Sequence, residues 1–227
     1  MHARLPLRMN LHVLLVSTLV CATLVFLPSC GEKDYNAREA RQAFEAWTVA
    51  VGSRNADAVV EFHQKATYDR YTRLISIALA FGKRNEIRAM PNADKYEVLF
   101  IRAYVPRKEL LRMDGQAYVR YMSESGFSLF TQSISGTISR IRATDDFADI
   151  TLKPARKGDT APTYRFVREG DRWLIDDRER LATIERAFVN APQTNSTESD
   201  RAFATMFASQ AGISDRDLTD VWDRCIR

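Results

Sequence analysis

The chain has 227 residues, 45% of them hydrophobic and 27% charged, with nine Gly and seven Pro, a balance that excludes wholesale disorder and suits one sizeable core. Its formal charge of +4 falls to about +2 once Arg4 and Arg8 are assigned to a leader that holds no acid, and its basic runs (Arg38 and Arg41, Arg107-Lys108) are interleaved with acids. That pattern is a solvated face, with no electrostatic footprint for nucleic acid. Three cysteines, Cys21, Cys30 and Cys225, rule out a disulfide framework.

The N-terminus reads as an export signal. His2, Arg4 and Arg8 make a positive start, and Val13 to Leu27 follows without a charge. As a helix, that stretch spans roughly 23 Å at about 1.5 Å per residue. A spanning segment wants about 20 apolar residues across a roughly 30 Å core, so a cleaved signal fits better than a permanent anchor. Phe26-Leu27-Pro28-Ser29-Cys30-Gly31 comes next. It resembles the lipobox of bacterial lipoproteins, with Pro28 standing where the family usually carries Ser, Ala, Thr or Val. The resemblance implies cleavage of residues 1–29, acylation of Cys30 by diacylglycerol and palmitate-type chains, and a lipidated tether over 30–35. Two or more buried chains make a stable anchor. Gly31, in place of the Asp that retains such proteins in the inner membrane, implies the outer membrane, facing the periplasm. Acylation of Cys30 would also forbid a Cys30–Cys225 bridge.

In the mature chain, Asn36 with Glu39 three residues on reads as a helix N-cap. Ala40, Phe44, Trp47 and Val51 then fall on one helical face that ends near Gly52. Asn55 is expected to cap a short helix bearing Val59, Val60 and Phe62. Thr67 is expected to cap a longer one bearing Tyr71, Leu74, Ile75 and Ala78. Pro91 stops any extension through Ala89. Ala93 to Tyr104 reads as helix, its β-branched content leaving strand open. Pro106 opens a helical piece through Met113, and Asp114 to Glu124 gives another before Gly126.

The period then changes to two. Thr137–Arg142, Phe147–Pro154, Thr163–Arg168 and Arg172–Asp176 read as an antiparallel meander, with Glu169-Gly170-Asp171 as its last turn. Arg178 to Val189 returns to helical spacing. Residues 190–199 read as a linker, and two short helices close the chain, one marked by Phe203 and Phe207, the other by Leu218, Val221, Trp222 and Cys225. The expected fold class is α+β, with N-terminal helices packed on a curved antiparallel β-sheet and a C-terminal helical extension. The expected division is a domain over 36–189 followed by 190–227.

The segment Tyr164-Arg165-Phe166-Val167-Arg168-Glu169-Gly170-Asp171-Arg172-Trp173-Leu174-Ile175-Asp176, with the short helix after Asn55, resembles the nuclear-transport-factor-2-like (SnoaL-like, cystatin-like) superfamily. The resemblance covers roughly 36–177 and implies a cone closed by a long helix, with Phe166 and Trp173 inside. Enzymes of that superfamily use a polar residue in the cone as general base.

Candidate chemistry is sparse. His63 is the one histidine outside the leader, with Asp69 six residues on, and a lone histidine at a helix end more often caps or faces solvent. Asp149 shares a strand face with Thr151 and Lys153, opposite Arg165, which reads as cross-strand pairing on a solvent face. Asp176 and Asp177 are adjacent, so they point apart, and Asp177 suits the N-cap of the next helix. Tyr68, Tyr71, Tyr104, Tyr118 and Tyr121 read as core. One histidine and no retained cysteine pair argue against zinc. Neither a phosphate loop nor a nucleophile elbow is present, so no cofactor is expected. The leading expectation is a non-catalytic envelope lipoprotein binding a protein partner or small apolar ligand. Alternatives are an isomerase-, dehydratase- or hydrolase-like enzyme, and a structural part of an envelope or secretion assembly, with the C-terminal helices as a partner or homodimer contact.

Overall fold

The first helix is built on a stripe of apolar residues at helical spacing, and it starts earlier than its cap signal suggests. A computed structural model describes residues 30–80, 84–125, 136–154, 156–157, 161–188 and 197–211. Helix α1 spans Cys30–Gly52. Asn36 therefore lies inside it rather than at its cap, and residues 30–35 are its first turns. The side chain of Asn36 serves tertiary structure instead, donating to Asp145 Oδ1 at 2.9 Å and accepting from Arg168 Nη1 at 3.0 Å. The expected stripe of Ala40, Phe44, Trp47 and Val51 is buried.

Helix α2 (Ala56–Glu61) is capped as its sequence implies, with the Ala58 N–H donating to Asn55 Oδ1 at 3.2 Å. Helix α3 (Lys65–Leu79) begins after Gln64, so Thr67 sits buried in the first turn and is not the cap. Helix α4 (Arg84–Arg88) is separate from α3. Helix α5 (Asn92–Tyr104) follows Pro91 and resolves the helix-or-strand ambiguity. Every residue from Asn92 to Arg102 is buried, so α5 is the central rod of the helical layer. Helices α6 (Arg107–Leu110) and α7 (Gly115–Ser125) follow. Asp114 Oδ1 accepts the Ala117 N–H at 2.8 Å and starts α7.

Gly115 shows how closely this layer is packed. A Cβ there would collide with the main-chain carbonyl of Tyr68, which cannot swing aside as a side-chain tip can. Its N–H donates to Thr72 Oγ1 at 2.8 Å. Overpacking costs about 1–3 kcal/mol or more, and Gly115→Ala is expected at the upper end because the obstacle is backbone. Urea unfolding measures it; a loss below about 0.5 kcal/mol, the level of an ordinary surface change, would mean that α3 and α7 do not meet so closely.

The meander forms as the alternation predicts. Strands β1 (Ile138–Ala143), β2 (Phe147–Leu152), β3 (Thr163–Glu169) and β4 (Arg172–Asp176) make one antiparallel sheet in the order β1-β2-β3-β4. Gly170, at φ +65°, makes the β3–β4 turn. Ala148 pairs with Phe166 and Ile150 with Tyr164, and Phe166 pairs onward with Ile175. Helix α1 crosses this apolar face, where Phe44 and Trp47 meet Tyr164 and Phe166 at ring-centroid separations of 5.5 to 6.3 Å.

Helix α8 (Arg178–Ala187) leaves the sheet and packs on α5 and β3. Helix α9 (Thr197–Ala211) takes in Thr197 to Ser199, which the sequence reading placed in a linker. It packs back on the domain, with Phe203 stacked on Phe188 at 4.7 Å and Phe207 edge-on to Tyr96 at 5.1 Å. The expected last helix around Trp222 and Cys225 and the leader lie outside the described residues. Among the described residues there are nine helices and this four-stranded open sheet, an α+β architecture.

Candidate functional site

Four elements converge on a buried charged cluster. Helix α5 brings Glu97, whose side chain is fully buried, from the middle of the apolar run Tyr96 to Ile101. The first turn of α8 brings Arg180, which donates through Nη1 to Glu97 Oε1 at 2.9 Å and through Nη2 to the Tyr71 hydroxyl at 2.9 Å. Its Nε lies 3.8 Å from Asp177 Oδ1, three residues earlier on the same helical face. Asp177 in turn faces His63, with Nδ1 to Oδ2 at 3.7 Å, a contact too long for a hydrogen bond.

The backbone sets His63 in place. The Ile175 N–H donates to Phe62 O at 2.7 Å, and His63 bridges to Ile175 in parallel fashion. The α2–α3 connection is thereby stitched to the free edge of β4. His63 is buried, contrary to the expectation of a capping or solvent-facing residue, because this stitch turns its ring inward.

Burial pushes the Asp177 carboxyl up, but His63, Arg180 and the Thr67 hydroxyl outweigh it and hold the group well below the usual carboxylate range. Burial also raises the Tyr71 and Tyr118 hydroxyls, so both stay protonated; their rings are 4.9 Å apart. A second tie lies nearby, where Arg70 donates to Asp94 Oδ1 at 2.8 Å and links α3 to α5. Arg102 donates to the carbonyls of Ala78 and Ala80 at 3.1 and 2.9 Å and closes the end of α3.

The other expected residues do not join the cluster. Asp69 is exposed and pairs with Lys65 one turn back. Asp149 is held bidentately by Arg165 at 2.7 and 2.8 Å, which is the cross-strand pairing its position implied. Asp177 does occupy the N-cap position of α8, yet its carboxylate makes no cap bond. Asp176 takes that part, accepting the Arg178 N–H at 3.0 Å. The sequence reading overlooked Glu97, Arg180 and the inward role of Asp177. The signals were a lone carboxylate inside an apolar helical run and an Asp-x-x-Arg spacing at a helix start.

This arrangement ties α5, α8 and the α2–α3 connection together through buried, mutually facing charges. A general base must come within about 2.6–3.2 Å of the proton it takes, and the His63 side chain is 0% exposed. Among the described residues, no group of three or more His, Cys, Asp or Glu is placed to hold a metal ion.

A concave surface lies elsewhere. A groove of about 620 Å³ runs between α1 and β1, lined by Ala37, Arg38 and Arg41 on one side and by Ile138 to Ile141 on the other.

Among the described residues, fold and site together define a helix-rich α+β domain with an aromatic cluster under α1, an internal ionic tie and a groove lined by arginines. Comparison with protein-family models, curated proteins and solved structures finds no match for this chain.

Proposed function

We propose that this chain is a lipid-anchored protein of the bacterial cell envelope, held by Cys30 in the outer membrane and facing the periplasm, and that its domain is a non-catalytic binding module. The observation that carries the second half is the packing under α1. Phe44, Trp47, Tyr164 and Phe166 fill the space where a cystatin-like cone would hold a substrate. Trp173 and Ile175, both buried, continue that filling. The sheet with a long helix laid across it is compatible with the cone-like, SnoaL-like fold, and we read it so. A superfamily enzyme would need its polar residue at a cavity, whereas His63 and Asp177 are enclosed by protein. Binding then falls to the outer surface.

The anchor rests on the leader and on Leu27-Pro28-Ser29-Cys30-Gly31. Among the described residues, no helix is long and apolar enough to cross a membrane. The test is labelled palmitate fed to cells making the full chain or its Cys30→Ser variant. The wild type should take up label and partition into detergent, and the variant should do neither. Label that persists on the variant would overturn the assignment.

A further inference from the structure

The two edges of the sheet differ. The β4 edge is partly closed by the Phe62-His63 stitch. Among the described residues β1 pairs with β2 alone, and its residues 138–141 line the groove. An unpaired edge is a template for one more strand, and the irregularity between Ile138 and Arg140 restricts which strand can add.

The groove's charge is of one sign. Arg38 and Arg41 line it from α1 and Arg140 from β1. Arg41 pairs with Glu45 at 3.8 Å, with both side chains half exposed. Among the described residues, the side chains of Arg38 and Arg140 make no ion pair or hydrogen bond. Arg70, Arg165 and Arg180, by contrast, are matched, with Asp94, Asp149 and Glu97. Among the described residues, the groove's lining presents three guanidinium groups and no carboxylate. Between them lie half-buried Ile138 and Ile141. Edge charges ordinarily deter pairing with any strand. Charges of one sign deter basic strands and admit acidic ones.

We propose that this groove takes an extended, acidic segment of a partner protein, which adds to β1 as a fifth strand. The proposal rests on the binding-module reading and names the partner's chemistry. Main-chain hydrogen bonds to the edge would supply affinity, and alternating side chains the selectivity. Carboxylates would meet the guanidinium forks, which suit them in bidentate fashion. Apolar residues between them would meet Ile138 and Ile141. A phospholipid headgroup would use the arginines but not the strand edge, so the two are separable.

The experiment uses the full chain in non-ionic detergent and a fluorescent eight-residue peptide alternating Glu and Val. Controls are a Lys-Val peptide, the Glu-Val peptide N-methylated on alternate amides, and phosphatidylglycerol vesicles. The Glu-Val peptide should bind and slow hydrogen exchange in β1. The Arg38→Glu/Arg140→Glu variant should bind it at least about tenfold more weakly, as expected when complementary charges become like charges. Both residues lie outside the core, so circular dichroism should report an intact fold. N-methylation should abolish binding. The proposal is overturned if the Lys-Val peptide binds as well, if N-methylation has no effect, or if the vesicles alone bind in an Arg38- and Arg140-dependent way. None of these outcomes touches Cys30 labelling, so the anchor and the groove stand or fall separately.

Discussion

Arg180→Ala is expected to cost about 3–5 kcal/mol of folding stability at neutral pH, the range for breaking a buried ion pair by removing one partner. The size follows from what is left behind. Glu97 is fully buried and Asp177 is 8% exposed, and both face Arg180. Without the guanidinium, two carboxylates share an enclosed space and the Tyr71 hydroxyl loses its donor. The pH dependence gives a second reading of the same event. In the wild type the Asp177 carboxyl titrates below its unfolded value, so its contribution is fully present above the unfolded pKa and is lost as pH falls through the folded one. In the variant, buried carboxylates without a cation favour the protonated form. Acidification from pH 7 to pH 4 therefore relieves the variant, while the wild type keeps its Asp177 contribution until pH falls below the ordinary carboxylate value, so the gap between them narrows across that range. Urea unfolding across that range measures it. A Glu97→Leu/Arg180→Met pair should cost less than Arg180→Ala alone, since apolar replacement of both partners removes the orphaned charge. A loss under about 1 kcal/mol that ignores pH would be the behaviour of a solvated pair and would sink the idea of an internal tie.

This cluster marks where sequence reading stops. Period alone located the meander, because Ala148, Ile150 and Leu152 alternate with Asp149 and Thr151, and each strand's burial depends on its own residues. The stripe from Ala40 to Val51 was readable for the same reason. The cap at Asn36 misled because its amide bonds to Asp145 and Arg168, more than a hundred residues away, and leaves the helix free to start at Cys30. Glu97 and Arg180 are 83 positions apart, and each alone looks like a surface charge on an amphipathic helix. Only the docking of α8 on α5 makes them partners. His63 is a similar case, since its inward turn is set by a main-chain bond from Ile175 that no side-chain pattern encodes. Local periodicity is written in the chain; long-range charge pairing is not, beyond the hint of a charge in an apolar run.

Trp47→Ala is expected to cost about 3–5 kcal/mol as well, the range for truncating a large aromatic core residue, and it probes the reading that the space under α1 is filled. Trp47 is 1% exposed, with Phe44, Tyr164 and Phe166 ring centroids within 5.6 to 6.1 Å. Trp47→Phe should cost much less. It keeps most of the ring contact and deletes an indole N–H that finds no acceptor among the described residues. Cavity chemistry separates filled from hollow. If the wild-type space is closed by these rings, added indole should leave its urea midpoint unchanged. In Trp47→Ala the vacated volume should accept indole and recover stability in proportion to RT ln(1 + [L]/Kd). Wild-type protein stabilised by indole as strongly as the variant would mean that a ligand space already exists beneath α1. The proposed binding site would then move from the outer surface to the space beneath α1, and the catalytic alternative would regain a place to act.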